Sequence, residues 1–170
     1  MKSKDVTIRQ AKPTEYAKVA EMHYPSWRLS WTGIIAPHHL DLIGQPHRWA
    51  TEFYPLTLRR DGWAMWIAEY RGRLLGMTMF GPDLAVPRDL HIDALYVTEH
   101  SQRHGIGGRL LNKALRVNPS EDVILWCADK NQKARNFYEK KDFQEDGRTF
   151  VWQPLPGVDV PHVGYRLKRR

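Results

Sequence analysis

The sequence contains little cysteine and no long apolar run. Cys127 is the only cysteine among 170 residues, so a disulfide within the chain is excluded. No apolar stretch approaches the ~18–20 residues that a helix needs to cross a bilayer. The charged N-terminus has no apolar segment of the kind found in signal peptides. These features favour a cytoplasmic chain without a membrane partner, and the absence of repeats and linkers predicts a single domain over residues 1–170.

Positive charge is abundant, with a formal net charge of +7. A basic protein attracts polyanions, which leaves nucleic acid, an acidic membrane surface or a phosphate-rich small ligand as partners. The basic residues are dispersed, and only residues 166–170 form a cluster. No zinc-ligand spacing, RNA-binding aromatic signature or helix-turn-helix pattern is present. The sequence therefore predicts no nucleic-acid partner and no metal, and a nucleic-acid role would depend on the net charge alone.

Hydrophobic periodicity predicts alternating strands and helices. Strands are expected at residues 6–9, 63–70, 74–80, 90–97, 123–127, 143–153 and 162–167. Helices are expected from residue 13 onward, at 105–117 and at 131–140, with short helices and loops over 27–54. A helix between two strands implies a parallel pair, whereas the hairpins imply antiparallel neighbours. The predicted fold class is therefore α/β (α+β mixed), a mixed sheet with helices on both faces.

A glycine-rich loop follows the strand at 90–97 and opens a helix. It reads Gln-Arg-His-Gly-Ile-Gly-Gly over residues 102–108. Free backbone amides at a helix N-terminus attract anions, and glycines allow a phosphate to approach closely. Arg109 and Leu110 stand where a Walker loop needs Lys and Ser or Thr, and Leu110 replaces the third glycine of a dinucleotide fingerprint. The loop predicts an anion site of another kind, or a helix start without a ligand.

Two motifs in order carry a family resemblance. The pattern Gln-x-x-Gly-x-Gly over residues 102–107 lies between the strand and the helix described above. A second pattern, Asn-x-x-Ala-Arg-x-Phe-Tyr-Glu-Lys-x-x-Phe, occupies residues 131–143. Both are similar to motifs of the GNAT superfamily of acetyltransferases. The looser N-terminal segment with Trp27, Trp31 and Gly33 looks like the acceptor-side helices of many bacterial members.

The resemblance implies a GNAT fold, a mostly antiparallel sheet with one parallel pair splayed at an acetyl-CoA site. It implies acetyl-CoA as cosubstrate and an amine as acceptor. The amides of residues 103–108 would hold the pyrophosphate, and the strand backbone at residues 95–97 would pair with the pantetheine arm. The cofactor-binding residues it implies are Leu95, Tyr96, Val97, Gln102, Arg103, His104, Gly105, Ile106, Gly107, Gly108, Asn131, Ala134 and Phe137. It implies Tyr138 as the acid that protonates the leaving thiolate, and Trp27 and Trp31 as acceptor-binding residues.

The chemistry also needs a route for a proton, because an alkylamine is mostly protonated at pH 7. Asp93 is the first candidate for the base, since a carboxylate on an otherwise apolar strand is costly to bury unless it is used or paired. Strand alternation predicts that His91, Asp93 and Leu95 share a face. Alternatives remain open. Asp93 could be a structural partner of His91, His91 could itself be the base, or a water could serve.

Cys127 follows Trp126 on an apolar strand without an evident base, which favours a buried structural cysteine over a nucleophile. Direct transfer in a ternary complex is therefore the expected mechanism. We expect one or two of five aromatic residues to contact the acceptor, in a pocket rimmed by the loop at 83–88 and a hairpin tip at 154–161. The five are Trp27, Trp31, Trp49, Phe53 and Trp152.

The sequence leaves the acceptor open among polyamines, aminoglycosides, amino acids, small toxins and protein amines. Like-charge repulsion disfavours a polycationic acceptor. A CoA-binding regulatory module without catalysis is the alternative function. Whether the chain works as a monomer or a homodimer is also open.

Overall fold

A computed structural model describes residues 5–169 of the chain and contains one seven-stranded sheet in that range. The strands are β1 (Thr7–Gln10), β2 (Ala64–Tyr70), β3 (Arg73–Pro82), β4 (Leu90–Val97), β5 (Val123–Ala128), β6 (Gln144–Leu155) and β7 (Val158–Leu167). Their order across the sheet is β1-β2-β3-β4-β5-β7-β6. β4 and β5 are parallel, and the other neighbours are antiparallel. The predicted mixed, mostly antiparallel sheet is confirmed.

The helices flank this sheet. They are α1 (Tyr16–Trp31), α2 (Pro37–Ile43), α3 (Pro46–Arg48), a π-helical turn (Trp49–Phe53), α4 (Tyr54–Leu58), α5 (Ile106–Val117) and α6 (Gln132–Glu139). Pro37 and Pro46 begin helices, because a helix needs no hydrogen bond from its first residue. α1 continues past Pro25 to Trp31, so Trp27 lies inside a long helix and not in a short one. Burial of its face, including Val19 and Trp27, outweighs the hydrogen bond that Pro25 cannot make. No helix between residues 5 and 169 combines the length and apolar character that crossing a bilayer requires.

The core has two layers, one on each face of the sheet. α1 and the short helices cover one face, where Trp27 and Trp49 pack with Met65, Ile67 and Met77. α5 and α6 cover the other face, where Leu111 and Tyr138 pack with Phe80, Leu90 and Leu125. Helices on both faces are thus the means by which both sides of the central strands are removed from water.

A β-bulge in β4 changes the direction of its side chains. Met79 pairs with Ala94 and Phe80 pairs with Ile92, so Asp93 is an extra residue without an opposite partner. Alternation is interrupted there. His91 contacts the ring of Trp63 on the α1 face, whereas Leu95 packs with the clusters on the α5 face. The expectation that His91, Asp93 and Leu95 share a face was therefore wrong for Leu95.

The parallel pair separates at the same bulge. β4 and β5 pair at three positions, the last being Ile92 with Leu125. Beyond it β4 continues with β3 to Val97, and β5 continues with β7 to Ala128. A gap between the two strands therefore opens at residues 94–97 and 126–128.

The basic C-terminal segment is partly bound to the fold. Arg166 donates hydrogen bonds to the carboxylates of Asp89 and Asp122 at 2.9 and 3.0 Å. Arg169 donates to the carbonyls of Leu115 and Asn118, near the C-terminus of α5. The hydrogen bonds of these two arginines therefore attach the C-terminal segment to the rest of the fold. Residue 170 lies outside the described range.

The final hairpin has a tighter tip than expected. β6 runs to Leu155 and β7 begins at Val158, so the turn consists of Pro156 and Gly157, the latter with φ of 77°. The expected tip at 154–161 is therefore mostly strand, because the alternating side chains continue to pair almost to the turn.

Candidate active site

A groove of about 1670 Å³ passes through the gap between β4 and β5. One end lies at the N-terminus of α5 and the other reaches the aromatic residues of α1 and β6. Of the site residues predicted from sequence, His104 is the one that does not line this groove. Its exposed ring Nδ1 is instead 2.8 Å from the carbonyl of Gln102.

The glycine loop presents backbone amides to one end of the groove. Gly105 has φ of 76° and Arg103 has φ of 61°, which turns the chain sharply into α5. Within residues 5–169, no backbone carbonyl accepts a hydrogen bond from the amides of residues 103–108. These amides and the positive end of α5 are therefore free to bind an anion.

Gln102 holds this loop in place. Its Nε2 donates to the carbonyl of Val97 at 3.0 Å, and its Oε1 accepts from Lys133 Nζ at 2.6 Å. Gln102 thus joins the end of β4 to α6, and its side chain is occupied by the protein itself.

Lysines near the loop were missed by sequence reasoning. Lys133, Lys140 and Lys141 line the groove. A Cβ built on Gly108 would lie 3.3 Å from Lys141 Nζ, which places this ammonium beside the start of α5. Lys133 and Lys141 occupy unspecified positions of the second motif, and Lys140 belongs to its pattern without having been assigned a role. Their positive charge strengthens the anion site.

The free edge of β4 offers alternate backbone groups. Thr98 N–H donates to the carbonyl of Leu75, and in an antiparallel pair hydrogen-bonded residues alternate. Tyr96, opposite Met77, therefore pairs with β3, whereas Leu95 and Val97 turn their backbone toward the gap. The carbonyl of Val97 already accepts from Gln102 and from Ser26 Oγ. The amides of Leu95 and Val97 are the donors left for a ligand in the gap.

Asn131 begins α6. Its Oδ1 accepts a hydrogen bond from the amide of Ala134 at 3.2 Å, which is an N-cap. The cap sets the direction in which Phe137 and Tyr138 enter the groove. The contact that the structure gives Asn131 is therefore a positioning one.

Tyr138 lies in the middle of the groove. Its side chain is 8% exposed and packs against the rings of Phe137 and Phe143. No described residue makes a hydrogen bond with its hydroxyl. Burial raises the pKa of Tyr138 well above that of a free tyrosine, so the hydroxyl keeps its proton. Burial also raises the pKa of the neighbouring Cys127 thiol to about 11, which disfavours a thiolate nucleophile.

Asp93 and His91 lie on the β4 wall. Asp93 is deep in the molecule, yet its side chain is exposed because it faces the open groove. Loss of solvent raises the pKa of Asp93, although His91 and Arg60 partly oppose this. Loss of solvent likewise lowers the pKa of His91, against the attraction of Asp93 and Asp83. His91 is therefore neutral at pH 7, and Asp93 has an increased affinity for a proton.

Asp83 supports His91 from outside the groove. Its Oδ1 is 3.5 Å from His91 Nδ1, and its Oδ2 accepts from the amides of Ala85 and Val86. No residue of the loop at 83–88 lines the groove, so the expectation that the loop forms its rim was wrong. The loop leads into the N-terminal end of β4, where β4 and β5 are still paired and the groove has not yet opened.

The far end of the groove is an aromatic chamber. The five aromatic residues singled out from the sequence all line it, and three more join them. The chamber residues are His23, Trp27, Trp31, Trp49, Phe53, Tyr54, Trp152 and His162. His162 gave no sequence signal. Its Nδ1 lies 2.8 Å from the carbonyl of Val160, which makes Nδ1 the protonated nitrogen and leaves Nε2 an acceptor.

Comparison with known proteins decides the family. The model of the Acetyltransferase (GNAT) family matches residues 20–143. The chain belongs to this family. It is an acyltransferase, and both sequence motifs and the splayed strands lie within the matched range.

Relatives agree along nearly the whole chain. A protein of Mycobacterium tuberculosis described as a probable N-acetyltransferase is 66% identical over 169 residues, which covers 99% of this chain and 97% of that protein. An uncharacterised N-acetyltransferase of Bacillus subtilis, YhfO, is 29% identical and covers 83% of this chain and 91% of that protein. The crystal structure of PaiA N-acetyltransferase from Thermoplasma acidophilum, in complex with coenzyme A, shares the fold. Its TM-score is 0.72 at 16% identity, covering 97% of this chain and 99% of that chain.

Proposed function

We propose that this protein transfers the acetyl group of acetyl-CoA to a primary amine, directly and within a ternary complex. One observation carries the proposal. A single groove joins a set of free amides at a helix N-terminus, the hydroxyl of a buried tyrosine that has no hydrogen-bond partner within residues 5–169, and a carboxylate with a raised pKa. Groups of these three kinds bind an anion, supply a proton and remove one. PaiA, whose fold this chain shares, binds coenzyme A.

The residues of the groove fit such a cosubstrate. The amides of residues 103–108, with Lys133 and Lys141, would hold its phosphates. The amides of Leu95 and Val97 would pair with an extended amide chain in the gap, and one of them would polarise the thioester carbonyl. When bound, acetyl-CoA supplies an activated acetyl group.

The proposed reaction transfers one proton away from the amine and one proton to the departing sulfur. The amine nitrogen forms a bond to the acetyl carbon as the carbon–sulfur bond breaks. Asp93 accepts the proton that the amine loses, and Tyr138 donates its hydroxyl proton to the departing sulfur. Cys127 stays a thiol because of its raised pKa, which favours direct transfer over an acyl-enzyme.

CoA should raise the melting temperature of the protein, because a ligand that binds only the folded state stabilises it by mass action. At a concentration of 100 Kd the gain is about 2.7 kcal/mol, which corresponds to a rise of about 5–10 °C for a chain of this length. Thermal melts with and without millimolar CoA measure this shift, and thiol release from acetyl-CoA measures turnover. An absent shift would contradict the proposal. A shift without thiol release for any amine would favour a CoA-binding regulatory module instead.

Replacing Asp93 with Asn should lower kcat/KM at neutral pH without weakening the fold. The rate loss should be about 100-fold or more, and it should shrink at high pH, where more of the amine is already neutral. Because partial loss of solvent around the groove wall raises the pKa of Asp93, the folded state holds this proton more tightly than the unfolded chain. Stability then falls as pH rises through the interval between the two pKa values. The amide side chain of the Asp93→Asn variant does not ionise, so the variant has no such pH-dependent loss of stability. Its denaturant midpoint at pH 7 should equal or exceed that of the wild type.

The two measurements together separate the roles left open for Asp93. A lowered midpoint with parallel pH–rate profiles would make Asp93 a structural residue. Asp83→Asn serves as the comparison, since it removes the carboxylate beside His91 and leaves Asp93 in place. A changed profile in Asp83→Asn with an unchanged one in Asp93→Asn would assign the base to His91.

A further inference from the structure

The aromatic chamber is a preformed and largely rigid surface. The ring of His23 is tilted against those of Trp49 and Tyr96, at ring-centroid distances of 4.7 and 4.4 Å. Trp27 meets Trp49 edge-on at 5.3 Å. These rings are held by packing on two sides, so little freedom is lost when a ligand contacts them.

Two indole rings face the opening of the chamber. Trp31 comes from α1 and Trp152 from β6, and their ring centroids are 5.2 Å apart. Both are half-buried, so part of each ring remains accessible. Phe53 and Leu42, which are 46% and 60% exposed, extend the apolar surface along the groove. An apolar group that enters here is removed from water by ring surfaces.

Charge in this part of the groove is sparse. Among the described lining residues, Asp93 is the one carboxylate. Arg48 stands at the exposed rim and is paired with Glu52 at 2.9 Å. Burial lowers the pKa of His23 to about 3 and also lowers that of His162, so both rings are neutral at pH 7. An acceptor with one ammonium finds one carboxylate partner here, and a second ammonium would find no further carboxylate among the described lining residues.

Several polar side chains of the chamber are already engaged, whereas His23 Nε2 and Trp31 Nε1 are buried and have no hydrogen-bond partner within residues 5–169. Ser26 Oγ donates to the carbonyl of Val97, and Ser30 Oγ donates to the carbonyl of Trp27. Gln153 Nε2 donates to Asp159. The unpaired ring nitrogens of His23 and Trp31 cannot replace the hydration of a sugar or another densely hydroxylated acceptor, which would lose more hydrogen bonds to water than it gains from the chamber.

We propose that the acceptor is a monoamine with an aromatic or similarly flat apolar substituent, bound with its ammonium toward Asp93 and its ring against the accessible faces of Trp31 and Trp152. This inference depends on the proposed function, because it takes the Asp93 end of the chamber as the place of reaction. Ring faces attract the ammonium on its way in, and Asp93 then accepts its proton. The rings beyond Asp93 contact the substituent and set the specificity.

The first test compares amine acceptors of different chemical classes with purified protein and acetyl-CoA. The probes are 2-phenylethylamine and tryptamine, with 1,5-diaminopentane, the aminoglycoside kanamycin and a lysine-containing peptide as competitors. We expect kcat/KM for the aromatic monoamines to exceed that of the diamine by about 100-fold or more, because the second ammonium is desolvated without a partner. An equal or higher value for the diamine, kanamycin or the peptide would overturn the inference.

Calorimetric binding of 2-phenylethylamine, with and without CoA, keeps the two proposals separable. Absence of CoA binding and of any thiol release would contradict the proposed function. The titration with the amine would still test whether the chamber binds an aromatic amine. If CoA binds and the aromatic amines do not bind at millimolar concentration, the inference about the acceptor is contradicted and the proposed function is not.

Trp152→Leu tests the placement of the ring while keeping an apolar side chain. The KM for the aromatic amine should rise about 10- to 100-fold, with the KM for acetyl-CoA unchanged. Val151→Ala is the matched control, since Val151 is the preceding residue of β6, is 53% exposed and does not line the groove. Melting temperatures of both variants identify a folding defect, in which case Trp31→Phe provides the second variant. An unchanged KM for the amine in both Trp152→Leu and Trp31→Phe would contradict the assignment.

Discussion

Tyr138→Phe should reduce kcat by about 10- to 1,000-fold and leave acetyl-CoA binding nearly unchanged. The substitution keeps the ring that packs against Phe137 and Phe143 and removes only the hydroxyl. That hydroxyl has no hydrogen bond to any residue in the range 5–169, and its pKa is raised by burial. Stability should therefore be unchanged or slightly higher, since no hydrogen bond is broken. Steady-state kinetics and a CoA titration measure the two effects.

Tyr165→Phe provides a matched control, because Tyr165 of β7 lies in the same core layer as Tyr138 of α6. The hydroxyl of Tyr165 donates to Glu139 at 2.8 Å and accepts from Arg135 at 3.0 Å, and the residue is fully buried. Its removal should cost about 1–2 kcal/mol of stability with little change in kcat. If Tyr138→Phe instead loses stability and keeps the full rate, Tyr138 is a core residue and the acid must be sought elsewhere.

Gly107→Asp should weaken CoA binding by about 100-fold or more, because like charges placed together cost several kcal/mol. A Cβ at this position would lie 3.4 Å from the ring of Phe137 and 3.7 Å from Val97, an ordinary contact at the entrance to the gap. The side chain fits, and an acidic residue in the first turn of α5 favours the helix. The fold should therefore survive. Calorimetry with CoA and a thermal melt without it measure the two quantities.

Gly107→Asn separates charge from shape. Asn has nearly the same volume as Asp, so the difference between the two variants reports on negative charge at the N-terminus of α5. That difference should decrease as salt is added, since exposed charges are screened. Equal affinities for the wild type and both variants would mean that the glycine loop serves only to start the helix.

Local sequence patterns predicted the elements that line the proposed cosubstrate end of the groove. The glycine loop at 102–108 and the helix carrying Tyr138 are determined by neighbouring residues, because glycine conformations, helix caps and helical periodicity act over a few positions. The parallel pair also followed from the order of strand, helix and strand. Gln102 was placed at the cofactor by the family resemblance, but its contacts are with Val97 and Lys133.

Other features depend on contacts between distant parts of the chain. The bulge at Asp93 comes from the register between β3 and β4, which the alternation within β4 cannot reveal. Because of it, Leu95 faces α5 and the parallel pair opens. The lysines beside α5 belong to α6 and to the turn after it, and only packing brings them to the anion site.

The sequence by itself determined the family, the mixed sheet and the glycine loop, through patterns of residue type, spacing and element order, and the family resemblance supplied Tyr138 as the candidate proton donor. The tertiary structure decided the end of the groove at which we propose that the acceptor binds. Trp31 and Trp152 are separated by 121 positions in the chain, the difference of their numbers, yet their rings lie 5.2 Å apart. Their contact arises from the packing of α1 against a sheet whose β6–β7 hairpin reaches the same face. Packing of this kind minimises exposed apolar surface over the whole molecule, and so it cannot be derived from any one segment.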